Sequence, residues 1–256
     1  MTFGCIHIAW NHKRATEHAV KQFRKYHPNN PYTLISDNGF DYSELSKKYN
    51  LNYIHSYLNC HPMRLHGHSH GIYGITKNEC LGWIHYFREG CKHVLKNGGT
   101  HIILMEDDIH TQSEVIINPE WEVAGHYFPE TQKIEPKVLE WIRKKYNVNP
   151  NQDWYGAGGG AIFKVKTFLD NYHKIYDFFD DDFDLILETM TPEFGWCDYF
   201  LTVAYFICGK DYSVNDQLTE MPLGGHVSQS GSYFNKLENE FALLHKYKRY
   251  YDKVGY

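Results

Sequence analysis

An apolar run that ends in three adjacent acids constrains this chain more than any other feature of its sequence. Residues 102–105, Ile-Ile-Leu-Met, have the composition of a strand buried on both faces, which belongs at the centre of a sheet covered by helices. Glu106, Asp107 and Asp108 follow at the point where that strand would end. Because open α/β sheets bind ligands at the carboxyl ends of their strands, the stretch predicts an α/β fold with a ligand site here.

The acids themselves favour a metal ion. Adjacent carboxylates repel one another and are costly to desolvate, so we expect a cation to neutralise them. A hard divalent ion, Mn²⁺ or Mg²⁺, suits oxygen ligands best. A solvated acidic turn after a core strand is the alternative, and the residues alone leave both interpretations open.

The first part of the chain alternates strand and helix. Strands are predicted at 4–10, 32–36 and 52–58, with helices at 11–26 and 43–49 between them, which is typical of a parallel sheet. A capping box, Thr76 to Glu79, then opens a long helix that leads into the acidic strand. The positive N-terminus of that helix, with Lys77, should lie at the same sheet edge as the acids, a suitable place for a diphosphate.

The second part offers fewer chemical signals. The glycines of 153–165 lack the spacing of a phosphate-binding loop and predict close backbone approach to a ligand or a strand. Asp198 stands alone on a very apolar predicted helix and needs either a hydrogen-bond partner or a chemical task. His226 lies in a Gly/Ser-rich loop, and 236–251 has the apolar spacing of an amphipathic helix.

Composition excludes several classes of protein. The net charge is −5 over 256 residues, which argues against a general nucleic-acid-binding surface. The six cysteines show no CxxC pairing, as expected of reduced thiols in the cytoplasm. The longest strongly apolar stretch, Tyr199 to Gly209, has 11 residues. A membrane-spanning helix needs about 20, so we expect no transmembrane segment.

The histidines between His61 and His70 suggest a second kind of site. Four of them fall within ten positions, which invites a zinc-hydrolase interpretation, but HGHSHG lacks the Asp-His pair of the HxHxDH motif. A polar or mobile surface loop is therefore the preferred interpretation of this stretch.

Taken in order, these features resemble the GT-A class of nucleotide-sugar glycosyltransferases over roughly the whole chain. The resemblance is carried by the following segments: Ile8-Ala9-Trp10 at the end of the first strand, Asp37 after the second, G-x-x-K-N at Gly74 to Asn78, ILMEDD as the DxD-type motif, the late WCDY, and a C-terminal loop His. It implies a single domain over 1–256 with a Rossmann-type, mixed and mostly parallel sheet flanked by helices. Residues 1–110 would form the nucleotide-sugar-binding half and 111–256 the acceptor-binding half.

The resemblance also implies roles for individual residues. Asp37 would bind the nucleobase, Asp108 the metal, and Glu106, in place of the first Asp of the motif, would share the metal site. The donor-binding residues would be Ala9, Trp10, Asp37, Asn38, Lys77, Asn78, Glu106 and Asp107. His226 would join the metal shell, and Asp198 would be the general base of an inverting transfer, although Glu193 or Asp153 could occupy the acceptor side instead.

The function implied is transfer of a sugar from a nucleotide-diphosphate donor, a UDP-sugar, to a glycan or other hydroxyl acceptor with the help of Mn²⁺ or Mg²⁺. Two other functions stay open. One is a metal-dependent hydrolase that uses the His61–His70 loop with the acidic cluster. The other is a non-catalytic sugar-binding module in which the acids hold a structural ion.

Overall fold

The computed structural model of the chain describes residues 2–10, 12–56, 77–126, 133–185, 196–220 and 241–245. The strands are β1 (Phe3–Ala9), β2 (Tyr32–Asp37), β3 (Asn52–Ser56), β4 (His101–Glu106), β5 (Ile109–Thr111), β6 (Val123–Gly125), β7 (Ile162–Lys164), β8 (Tyr212–Val214), β9 (Leu218–Glu220) and β10 (Leu243–His245). The helices are α1 (Lys13–Tyr26), α2 (Ser43–Tyr49), α3 (Lys77–Lys96), α4 (Pro136–Tyr146), α5 (Val165–Asp170), α6 (Tyr172–Asp181) and α7 (Trp196–Ile207).

The main sheet is mixed and mostly parallel. Its strand order is β3-β2-β1-β4-β7-β6-β8, and the first four of these strands run parallel to one another. Only β7 runs against its neighbours β4 and β6 in the part of the chain that is described. The acidic strand β4 therefore lies at the centre of the sheet, as its uninterrupted burial predicts.

Two cores cover the faces of this sheet. Side chains of β4 alternate between them: Ile102 and Leu104 pack with α3 and the later helices, whereas Ile103 and Met105 pack with α1. The alternation follows from the two-residue period of a strand. It also decides, at the end of β4, to which side each acid points.

A second, smaller sheet lies beside the end of β4, with strand order β5-β10-β9. Its middle strand β10 corrects the prediction of a helix over 236–251, because residues 243–245 are extended. Leu243 and Leu244 are fully buried, and the backbone of β10 bonds to strands on both sides. Tertiary burial and strand pairing thus override the helical spacing of the apolar residues.

The predicted alternation of strands and helices over the first half of the chain is confirmed, with α2 at the predicted residues and the other described boundaries within two residues of the prediction. Residues 57–58 of the predicted third strand lie outside the described residues. The predicted helix at Thr167 is two helices, α5 and α6, that meet at Asn171. Among the described helices, none combines the length and the hydropathy needed to cross a bilayer.

Helix α3 lies unusually close to β1 because it carries Gly90 at the contact. A Cβ atom at this position would lie 2.6 Å from Cδ1 and 2.7 Å from Cγ1 of Ile6. Ile6 is fully buried in the core that α3 shares with the sheet. The glycine therefore sets the spacing between α3 and the strand next to β4.

We expect Gly90→Ala to lower the free energy of unfolding by about 1–3 kcal/mol, because overpacking outweighs the better helix propensity of alanine. Urea denaturation of Gly90→Ala, Ile6→Ala and the double variant measures the coupling between the two sites. In the Ile6→Ala background the alanine fills the space left by the isoleucine, so its cost should disappear. An equal cost in both backgrounds would contradict this packing.

Candidate active site

The side chains of the three acids at the end of β4 do not all lie together. Glu106 is the last residue of β4, and Asp107 and Asp108 form the turn into β5. Glu106 and Asp108 approach each other closely enough to share an ion, while the side chain of Asp107 points toward α1. Strand alternation thus turns Asp107 away from Glu106, and the turn brings Asp108 back beside Glu106.

The backbone pairing of β10 brings a histidine to the same place. His245 pairs with Ile109 in the antiparallel register of β10 and β5, one residue beyond Asp108. Its Nε2 lies 3.5 Å from Oδ2 of Asp108. One side-chain donor atom from each of Glu106, Asp108 and His245 lies within 4.8 Å of the other two.

The chemistry of this trio fits a divalent cation. Glu106 and Asp108 are 8% and 3% exposed, so water screens the repulsion between their carboxylates poorly. Two carboxylate oxygens and an imidazole nitrogen are suitable ligands for Mn²⁺, whereas Mg²⁺ prefers oxygen ligands alone. His245 is distant in sequence from Glu106 and Asp108, so such a site would need the folded domain.

A glycine segment closes the other side of this trio. A Cβ atom on Gly159 would lie 2.9 Å from Cδ1 of Ile109 and 3.6 Å from Cδ of Glu106. The amide of Gly160 donates to the carbonyl of Leu104 at 2.7 Å, which pairs the segment with β4. The predicted close backbone approach of these glycines is therefore to the acidic strand.

The side chain of Asp107 has different surroundings from those of Glu106 and Asp108. It is fully buried, and its Oδ1 accepts a hydrogen bond from the Thr16 hydroxyl at 2.8 Å and lies 3.1 Å from Nε2 of His7. This side chain is enclosed on the α1 side of the sheet, which gives Asp107 an anchoring position. Its contact with a donor stays a prediction.

The residues predicted to bind the nucleobase meet at the ends of β1 and β2. Ala9 ends β1 and is fully buried, and Trp10 follows it, with its carbonyl accepting from the amide of Phe40. Asp37 ends β2 and is 1% exposed, whereas Asn38 is exposed and has a left-handed backbone with φ of 50°. The four residues share one sheet edge with Glu106, because β1, β2 and β4 are parallel.

The first turn of α3 carries Lys77 and Asn78, both exposed. The ammonium group of Lys77 forms an ion pair with Asp180 of α6 at 2.8 Å, which raises the pKa of the lysine through hydrogen bonding to that carboxylate. A contact between Lys77 and a donor diphosphate would require this exposed pair to open, at small cost.

Only some of the residues predicted on the acceptor side lie in the described part of the chain. Asp198 lies in the first turn of α7, and the neighbouring Tyr199 packs edge-on against Tyr155 with ring centroids 5.0 Å apart. Tyr155 directly precedes the glycine segment that reaches Glu106, so α7 begins near that segment. The alternative Asp153 pairs with Lys133 at 2.9 Å on the surface. Glu193, His226 and the His61–His70 loop lie outside the described residues.

Two features of the site were not predicted from the sequence. His245 directly follows the apolar triplet Ala242-Leu243-Leu244, just as Glu106 follows the apolar run of residues 102–105. Thr16 lies on the apolar face of α1, and His7 interrupts an otherwise apolar strand. A polar residue in such a position needs a buried partner, and this was the available signal.

No protein-family model matches the sequence, and neither does any curated protein sequence. Solved structures do match. WbbM, a bifunctional glycosyltransferase determined in its apo form, superposes with a TM-score of 0.50 at 11% identity. The match covers 95% of this chain and 45% of WbbM, so the chain spans less than half of that protein's length.

The galactosyltransferase LgtC, solved in complex with donor and acceptor sugar analogues, matches with a TM-score of 0.51 at 13% identity. The match covers 94% of this chain and 86% of LgtC. An active-site mutant of LgtC matches with the same TM-score and coverage at 12% identity. These similarities confirm the GT-A-like glycosyltransferase fold that the order of sequence motifs predicts.

Proposed function

We propose that this chain is a metal-dependent glycosyltransferase that moves a sugar from a UDP-sugar to a hydroxyl group of a glycan or small acceptor. The observation that carries the proposal is the meeting of Glu106, Asp108 and His245 at the carboxyl end of the central strand. Ligands of open α/β sheets bind at this edge. The neighbours LgtC and WbbM, which share the fold, are glycosyltransferases.

Glu106, Asp108 and His245 would hold the ion, and we propose Mn²⁺ because the trio includes an imidazole. Bound there, a divalent ion supplies positive charge to the leaving diphosphate. The three side chains contribute by being fixed in place before the donor arrives, since they come from β4, its turn and β10. Preorganised charge of this kind needs no rearrangement during the reaction.

The donor would lie across the ends of β1, β2 and β4. We propose that Trp10, Asp37 and Asn38 form the nucleobase end and that Lys77 and Asn78 approach the diphosphate. Residues 1–110 then form most of the donor half and 111–256 the acceptor half. His245 is an exception to this division, because β10 returns from the C-terminal part to the metal residues.

Asp198 is the residue we propose as general base toward the acceptor hydroxyl. Helix α7 packs next to Tyr155, which leads into the glycine segment at Glu106. A carboxylate there would accept the proton as the acceptor oxygen attacks from the face opposite the diphosphate. Direct displacement of this kind inverts the anomeric configuration.

The protein would act in a reducing compartment, which we propose to be the cytoplasm. Among the cysteines whose side chains are described, Cys5, Cys80, Cys91 and Cys208 are all free thiols. Burial raises the pKa of the Cys5 and Cys91 thiols above their ordinary range, so they are unreactive core residues.

Asp108→Asn tests the metal site. The change removes one of two neighbouring buried charges, so we expect the Tm of the metal-free variant to be at least that of the wild type. Mn²⁺ should raise the Tm of the wild type but not that of Asp108→Asn. Calorimetric binding of UDP in the presence of Mn²⁺ should weaken by at least about a hundredfold in the variant, because it would lack one of the residues that would hold the ion needed to offset the diphosphate charge.

Asp153→Asn is the matched control for that experiment, since Asp153 pairs with Lys133 on the surface, and it should leave Tm and UDP affinity unchanged. Unchanged affinity of Asp108→Asn for UDP with Mn²⁺ would contradict the proposal.

Incubation with UDP-sugars, with and without acceptors, distinguishes the three functions. Hydrolysis of the donor without transfer would favour a hydrolase, and binding without turnover would favour a sugar-binding module.

Asp198→Asn tests the general base. The substitution keeps shape and polarity, so donor and Mn²⁺ binding should persist while transfer slows by about 10²–10⁴-fold, the usual contribution of general-base catalysis. Proton NMR coupling constants of the product of the wild-type enzyme should show inverted anomeric configuration. Near-normal transfer by the variant would remove Asp198 from this role, and a retained configuration would exclude direct displacement.

A further inference from the structure

A buried polar network lies directly behind the proposed metal residues, on the α1 side of the sheet. Its members are Asp107, His7, Thr16, Tyr32 and Tyr42, and we call it the Asp107 network. All five are at most 2% exposed. The hydroxyl of Tyr32 lies 2.6 Å from Nδ1 of His7, whose Nε2 lies 3.1 Å from Oδ1 of Asp107.

The hydrogen bonds of this network converge on Asp107. Burial raises the pKa of the Tyr32 hydroxyl well above its ordinary value, so the phenol keeps its proton beside Nδ1 of His7. In the His7 tautomer that carries its proton on Nε2, the imidazole donates to Oδ1 of Asp107 and accepts from Tyr32. Thr16 donates to the same Oδ1 at 2.8 Å from the other side.

The network also reaches the proposed nucleobase end of the site. Oγ1 of Thr16 lies 3.2 Å from the hydroxyl of Tyr42, and that hydroxyl donates to the carbonyl of Trp10 at 2.9 Å. Thr16 thus stands between the turn that contains Asp107 and the backbone that follows β1. The two segments belong to different parts of the proposed donor site.

Stability alone does not account for such a network. Buried polar groups are costly to desolvate, and well-packed apolar residues often stabilise a core as well or better. Oδ2 of Asp107 receives no hydrogen bond from any residue that the structure describes, which adds to the cost. Buried networks of this kind can, however, fix a single arrangement of the backbone around them.

We propose that the Asp107 network positions the metal-binding turn: by holding the middle acid against α1, it keeps Glu106 and Asp108 together beside His245, in register with the nucleobase end. This inference rests on the proposed function. It assigns Asp107, Thr16 and His7 as positioning residues that touch neither the metal nor the donor. Thr16 is the member best suited to a test, because valine replaces threonine with nearly the same shape.

The test is Mn²⁺ binding, followed by the loss of the free-ion signal in electron paramagnetic resonance, on wild type, Thr16→Val and Thr16→Ser. We expect Thr16→Val to weaken Mn²⁺ binding about tenfold, because a hydrogen bond to a carboxylate is lost, and Thr16→Ser to restore it. Tyr32→Phe, which removes a hydroxyl linked to Asp107 only through His7, should weaken binding by a smaller factor.

Thr33→Val is the matched control, since Thr33 is fully buried on β2 and accepts a hydrogen bond from Asn52. It should lower Tm by a similar amount while leaving Mn²⁺ affinity unchanged. Equal Mn²⁺ affinity in wild type, Thr16→Val and Tyr32→Phe would overturn the positioning role and leave the metal site standing. Absence of Mn²⁺ binding by the wild type would overturn the metal site itself, and the inference with it.

Discussion

The alternation of side chains at the end of β4 is the constraint on which the rest of the site depends. Three acids follow one another in sequence, but successive side chains of a strand point to opposite faces of the sheet. Asp107 is therefore directed to α1, and the turn leaves Glu106 and Asp108 together beside His245. The motif thus combines a buried anchor with a pair of proposed ligands.

Strand pairing completes the site from the far end of the chain. β10 inserts between β5 and β9, and its register with β5 places His245 next to Asp108. Leu243 and Leu244 secure that strand by burial. The proposed ligands are thus held by the central sheet on one side and by the small second sheet on the other.

Much of the fold could be predicted because local patterns and tertiary structure agree. The apolar run of β4, the alternation of the first three strands with helices, and the helix before β4 all follow the sequence. The C-terminal segment could not be predicted from spacing alone, since its leucines suit a helix and become a strand only by pairing with β5 and β9.

The same distinction applies to the site. Glu106 and Asp108 could be found because they end a recognisable strand. Identifying His245 as part of the site requires knowing which distant strand pairs with β5, and no local pattern carries that information. The role of Asp107 likewise depends on Thr16 and His7, which are 91 and 100 residues away in sequence. Long-range contacts of this kind are set by packing rather than by propensity.

Electron spin echo envelope modulation of Mn²⁺ bound to the protein tests the proposed metal site, because it detects nitrogen nuclei coordinated to the ion. We expect modulation from one imidazole nitrogen in the wild type, its loss in His245→Gln, and its persistence in His173→Gln, a control at an exposed histidine of α6. Bound Mn²⁺ without nitrogen modulation, or modulation that survives His245→Gln, would contradict the assignment of Glu106, Asp108 and His245 as one metal site.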